Sequence, residues 1–104
     1  ITREMEVNRF FLNPDSGLPE LAKLVDSNPN HVSQVINECL QMNYFELIAQ
    51  YRIELAKSLM KDKETASVTI EEIATSVGYL SKSAFNKAFK KVTGQTPSEY
   101  RLSI

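Results

Sequence analysis

Residues 69–101 read TIEEIATSVGYLSKSAFNKAFKKVTGQTPSEYR, and this stretch decides the fold. Thr69 followed three residues on by Glu72 is a capping box, so a helix starts there and stops at Gly78. A second helix starts near Ser81. It carries Lys82, Asn86, Lys87 and Lys90 on one side, and Ala84, Phe85, Ala88 and Phe89 on another. Thr96-Pro97-Ser98-Glu99 is a further capping box with proline at the first helical position, and the helix it opens, 97–103, turns Tyr100 inward. Two short helices joined by a tight glycine-containing turn, the second basic and polar outside, have the sequence form of a helix-turn-helix. In that motif the second helix lies in the DNA major groove.

The same pattern occurs earlier. Glu20, Leu21, Ala22 and Val25 match Glu72, Ile73, Ala74 and Val77 at an offset of 52. After the turn, Val32 and Ile36 match Phe85 and Phe89 at an offset of 53, so the second copy has one extra residue in its turn. The first copy comprises a short helix, Leu18 to Val25, with Leu21, Ala22, Leu24 and Val25 inward. Asn28 and Pro29 then cap a helix that runs to about Leu40, with Val32, Val35, Ile36 and Leu40 as its apolar positions. Between the copies, Asn43 with Glu46 opens the longest helix, about 43 to 61. About 18 residues at 1.5 Å each give a rod of roughly 27 Å. Residues 3–12 are a further candidate helix with Met5, Val7, Phe10, Phe11 and Leu12 on its apolar side. Asn13 to Gly17 is a dense turn signal and 62–68 a polar linker.

The fold class expected is therefore all-α, about seven helices, with two helix-turn-helix units joined by a long linker helix. Residues 1–61 form the first subdomain with the linker helix, and 62–104 the second. Three glycines and four prolines punctuate the 104 residues, and no strand-like alternation persists. Apolar residues make up 42% and charged residues 24%, as in an ordinary globular chain. No apolar run is long enough to span a membrane, and the charged start reads as no signal peptide. A single cysteine, Cys39, excludes an internal disulfide and fits a cytoplasmic location.

Net charge is -1, unusual for a nucleic-acid binder, but the charge is unevenly spread. Residues 1–61 hold six basic side chains (Arg3, Arg9, Lys23, Arg52, Lys57, Lys61) and eight acidic ones (Glu4, Glu6, Asp15, Glu20, Asp26, Glu38, Glu46, Glu54). Residues 82–101 hold Lys82, Lys87, Lys90, Lys91 and Arg101 against Glu99 alone. Phosphate binding depends on local charge at the contact face, so the total does not exclude it.

Ile73-Ala74, Val77-Gly78-Tyr79, Ser81, Ser83, Phe85, Phe89-Lys90-Lys91, Thr93-Gly94 and Thr96 to Arg101 together resemble the DNA-binding domain of the arabinose-regulator (AraC/XylS) family of bacterial transcription regulators. In the first half Leu21-Ala22, Ser33, Tyr51-Arg52 and Ala56-Lys57 fit the same pattern, which covers about Leu18 to Tyr100. The resemblance implies a homeodomain-like fold with two recognition helices, carried on the shared linker helix, entering successive major grooves about 34 Å apart. By matching position, the base-facing residues implied are Asn30, Ser33, Gln34 and Asn37 in the first recognition helix. In the second they are Lys82, Ser83, Asn86 and Lys87. The partners expected are double-stranded DNA, RNA polymerase and a sensor domain N-terminal to this segment, which leaves membrane attachment through such a part open. Gln41 departs from the pattern, which commonly has glycine there, and the first recognition helix has no lysine or arginine.

The residue types suit the task. Asn and Gln present a donor and an acceptor to adenine, and Lys donates to guanine. Lys90 and Lys91 lie a turn further on, where phosphate contact is expected. Phe85 and Phe89, at core spacing, read as packing rather than base stacking. His31 has no second histidine and Cys39 no assembled partner, so neither metal, cofactor nor nucleophile is expected. Glu71 and Glu72 sit in a first helical turn, where the helix dipole favours carboxylates without catalysis. No enzyme constellation and no small-molecule site is legible. The alternative from another class is a protein-interaction module in which only the second helix-turn-helix contacts DNA.

Overall fold

A computed structural model describes residues 5, 9–12, 17–62, 64–65 and 67–104. Among these the chain is all-α. The helices are α1 (Leu18–Leu24), α2 (Pro29–Leu40), α3 (Tyr44–Lys61), α4 (Ile70–Ser76), α5 (Lys82–Thr93) and α6 (Pro97–Ser103), preceded by a 3-10 turn at Phe10–Leu12. The expected single helix over 3–12 does not run through its described part: Arg9 stands at φ 51, a left-handed conformation that ends an α-helix before the 3-10 turn. The remainder of that segment, and Asn13–Ser16 of the expected turn, lie outside the described residues.

By packing, the chain divides into two compact units, residues 1–48 and 49–104. In the first, α1 packs on α2, and Leu21, Ala22, Val32 and Ile36 are buried with Met5, Phe11, Tyr44, Leu47 and Ile48. Leu24, expected inward, is 56% exposed. At about 100° per residue it lies some 110° from the line between Leu21 and Ala22, outside the buried stripe. In the second unit, Ile53, Ala56 and Met60 of α3 form one cluster with Ile73, Ala74, Val77, Phe85 and Phe89. Phe85 and Phe89 have no exposed surface, and their rings lie 5.6 Å apart. The ring of Tyr100 meets Phe89 edge-on at 5.4 Å, so α6 packs against the buried side of α5. Burial of each such side chain is worth roughly 1.5–3 kcal/mol.

Polar contacts finish the second unit. Arg101 donates to the Val68 carbonyl at 2.6 Å, tying α6 to the linker ahead of α4. Arg52 stacks on the Tyr79 ring at 4.9 Å. Burial pushes the Tyr79 hydroxyl up from its ordinary pKa, and the Arg52 charge opposes that rise.

The internal duplication is visible in the backbone. In the first turn Ser27 N–H bonds to Ala22 O at 2.8 Å and Asp26 N–H to Lys23 O at 3.2 Å. In the second, Tyr79 N–H bonds to Ala74 O at 3.0 Å and Gly78 N–H to Thr75 O at 3.2 Å. This is one Schellman motif made twice, with Asp26 at φ 56 standing where Gly78 takes φ 103. The N-caps follow as the sequence indicates: Asn28 Oδ1 accepts from His31 N, and Ser81 Oγ from Ala84 N. The second turn does contain one more residue.

The capping boxes repeat too. Asn43 and Glu46 exchange bonds of 3.1 and 2.8 Å, and Thr96 and Glu99 exchange bonds of 2.9 and 3.1 Å. The expected box at Thr69 is half made: its Oγ1 accepts from Glu72 N at 3.1 Å, and the Glu72 carboxylate returns no bond to Thr69 N–H. The bond from Thr96 N–H holds the Glu99 carboxyl below its ordinary pKa. That contribution to the cap is present above the ordinary carboxylate range and is lost as pH falls through the lowered value.

Gln41 shows why a glycine would suit its position. It ends α2 at φ 55, ψ 38, the left-handed conformation that Gly94 takes at φ 82 at the end of α5. The turn geometry is thus kept while the residue that favours it is not, and a left-handed non-glycine costs about 1 kcal/mol. Replacing Gln41 with Gly should raise stability by about 0.5 kcal/mol after the added freedom of the unfolded chain is subtracted. A higher urea midpoint with an unchanged slope is the expected outcome; an unchanged or lowered midpoint would show that position 41 carries no strain.

Candidate nucleic-acid interface

The arcs that face solvent follow from what is buried. On α5, Phe85 and Phe89 are buried and Ala88 is half-buried, so at about 100° per residue the opposite side holds Ser83, Ala84, Lys87, Lys90 and Lys91. All five are exposed. Lys82 is exposed at the helix start, where its Nζ lies 3.6 Å from Glu71 Oε1 of α4. Both side chains of that pair are more than half exposed, so it stabilises little and leaves Lys82 free to exchange partners. Asn86 is half-buried on the border between arc and core.

On α2, Val32 and Ile36 are buried and Val35 is half-buried, so the outward side holds Asn30, His31, Gln34, Asn37 and Glu38, all exposed. Ser33 is half-buried and occupies the position of Asn86. At an offset of 53, Gln34 corresponds to Lys87 and Glu38 to Lys91. The Gln34 amide donates to Glu38 Oε1 at 3.0 Å. The two arcs therefore share a position and differ in charge. That on α5 carries lysines with no carboxylate of its own helix; that on α2 carries one carboxylate and no Lys or Arg. An arc of the first kind attracts phosphate, while the second offers amides and a hydroxyl with little pull on the backbone.

Of the nine residues singled out from sequence, Asn30, Ser33, Gln34 and Asn37 on α2 pair with Ser83, Asn86, Lys87 and Lys90 on α5 at the offset of 53, while Lys82 corresponds to Pro29 and has no polar counterpart. Ala84, expected on the apolar side, is exposed on the outward arc instead. It lies about 100° from Phe85 and only about 60° from Lys87, and a methyl group is too small to draw the helix round. A wheel centred on the two phenylalanines alone would have placed it. Leu80, 82% exposed in the turn ahead of α5, went unremarked because a single apolar residue in a loop has no periodicity. The start of each outward arc is held by a side-chain cap, from Asn28 and from Ser81. Among the described residues no group of three His, Cys, Asp or Glu could hold a metal, and no helix is long and apolar enough to cross a membrane.

Comparison with known proteins bears on what these arcs meet. A family model described as a helix-turn-helix domain matches residues 21–103. The chain is 31% identical over 84 residues to the uncharacterized HTH-type transcriptional regulator YtdP of Bacillus subtilis, covering 81% of this chain and 10% of that protein. It is 29% identical over 85 residues to the Msm operon regulatory protein of Streptococcus mutans, covering 82% of this chain and 30% of that protein. The chain thus spans a tenth to under a third of the length of these relatives. Among solved structures, the C-terminal domain of AraT, a response regulator from Geobacillus stearothermophilus, superposes with a TM-score of 0.83 at 31% identity over 92% of this chain and 77% of that one. A DNA-binding transcriptional dual regulator from Escherichia coli K-12 gives 0.78 at 25% identity over 93% of this chain and 83% of that one.

Proposed function

The chain belongs to the AraC-type helix-turn-helix family of transcription regulators, and on that premise we propose that α2 and α5 are both recognition helices that enter successive major grooves of one duplex. As a member of that family it is a DNA-binding domain and not an enzyme. The observation that carries the two-helix reading is the duplicated turn. Both copies end their first helix in the same Schellman motif and start their second with a side-chain cap. Each second helix buries an equivalent pair, Val32 with Ile36 or Phe85 with Phe89, and leaves an equivalent polar arc outside.

Within those arcs, Asn30, Ser33, Gln34 and Asn37, with Lys82, Ser83, Asn86 and Lys87, read base edges, while Lys90 and Lys91 meet phosphate. The lysines give α5 most of the affinity; α2 contributes selectivity more than strength. The domain works in the cytoplasm as part of a longer regulator, with a sensor domain N-terminal to it and RNA polymerase as its partner at the promoter. A second reading, in which only α5 contacts DNA and the first unit binds protein, draws support from Glu38 and the lack of Lys or Arg on α2.

Two substitutions test this. Lys87→Ala should weaken binding to a duplex selected from a random library by about 10-fold, near the lower end for a lost bidentate contact, and leave binding to a scrambled duplex nearly unchanged. Equal loss on both would make Lys87 a phosphate contact, and no loss on either would remove it from the interface. Glu38→Lys places on α2 the charge that α5 has at Lys91. If α2 lies in a groove, affinity should rise and the slope of log K against log salt should steepen by about 1. An unchanged slope would favour the reading in which α5 acts alone.

A further inference from the structure

Leu80 is an exposed large apolar side chain in the turn ahead of α5; the others that the second unit exposes, Val92, Leu102 and Ile104, lie at the end of α5 or in and after α6. Leu80 is 82% exposed, while its neighbours in the turn are fixed. Tyr79 N–H is bonded to Ala74 O at 3.0 Å, and the Tyr79 ring meets Phe85 at 5.7 Å. Ser81 on the other side caps the N–H of Ala84 at 3.1 Å. The turn that carries Leu80 is therefore held at both ends, and Leu80 comes two residues before α5, whose first three residues, Lys82, Ser83 and Ala84, are exposed. The first turn has no equivalent, because there Ser27 leads directly to the cap Asn28 and the second turn is one residue longer.

An exposed leucine just ahead of a helix that carries Lys82, Lys87, Lys90 and Lys91 on exposed positions has a charged setting, not an apolar one. The first residues of a recognition helix are those that reach base edges. On a major-groove floor made of donors and acceptors, the apolar group on offer is the 5-methyl of thymine. Resting on the DNA-binding reading above, we propose that Leu80 contacts a thymine methyl at the edge of the groove entered by α5, and so fixes a thymine in the recognised sequence. Ala84, exposed in the first turn of the same helix, adds a second methyl to that apolar corner. The neighbouring lysines suit this occupant, since they bring the corner against a polyanion rather than against an apolar protein surface.

The test uses a duplex selected from a random library by the wild-type chain, and a set of copies in which each thymine in turn becomes deoxyuridine. This exchange removes the methyl group and keeps every hydrogen-bonding edge. One such exchange should weaken wild-type binding about fourfold, the worth of one methyl-sized apolar contact. Leu80→Ala should bind the thymine duplex about fourfold more weakly than wild type and should no longer distinguish it from the deoxyuridine duplex at that position. Its thermal midpoint should match that of wild type, because Leu80 is outside the core. If Leu80→Ala keeps the full thymine preference at every position, or binds the selected duplex as well as wild type, the proposal is overturned and the leucine meets something other than DNA. Failure to select any duplex would overturn the DNA-binding reading itself, a result distinct from either.

Discussion

The buried phenylalanine pair of α5 is the constraint on which the interface depends. Phe85 and Phe89 are one helical turn apart, both without exposed surface, and packed against Ile53, Ala56 and Met60 of α3 and against α4. A helix pinned on one side by two large rings has no rotational freedom, so the residues half a turn away are delivered to solvent at a fixed angle. Ser83, Lys87 and Lys90 are outward because Phe85 and Phe89 are inward. Val32 and Ile36 do the same for α2 with smaller side chains. Recognition residues need no intrinsic preference for their orientation; the core supplies it.

The turns fix the second degree of freedom, the position along the helix axis at which each polar arc begins. Asp26 and Gly78 reverse the chain in left-handed conformations, and Asn28 and Ser81 then restart it with side-chain caps. The longer second turn carries Leu80 beyond the common frame. The duplication thus keeps the frame and varies what it displays. α5 has a charged arc that attracts phosphate, and α2 has an amide arc in which Gln34 is already engaged by Glu38. Unequal charge on a shared frame is what the proposed division rests on, with α5 supplying strength and α2 selectivity.

Much of this was legible in the sequence because it is written in local signals. Caps three residues apart, such as Asn43 with Glu46 and Thr96 with Glu99, are satisfied within one helical turn and need no knowledge of the fold. The repeat was legible because equivalent residues recur at one spacing. Leu24 and Ala84 face outward for a common reason: each is apolar and adjacent in sequence to the buried stripe, but its angle on the helix carries it out of that stripe. The left-handed conformation of Arg9 leaves no trace in its residue type. The bond from Arg101 to the Val68 carbonyl joins residues 33 apart in sequence, and the Lys82–Glu71 pair joins two helices. Such contacts exist only after the chain has packed. The left-handed Gln41 is the reverse case, in which the residue type departs from glycine and the backbone still turns left-handed, as it does at Gly94.

The central claim is that both polar arcs lie in DNA. Guanine-methylation interference on duplexes selected by this chain, with guanine substituted in turn at each position across the site that tolerates it, tests it most directly, because the bulk of an N7 methyl obstructs a helix lying in the major groove. The account requires interference in two clusters on one face of the duplex, their centres about 10–10.5 base pairs apart. The stronger cluster should weaken under Lys87→Ala, and the other should persist. Interference confined to a single cluster, with the rest of the duplex indifferent to methylation, would contradict it.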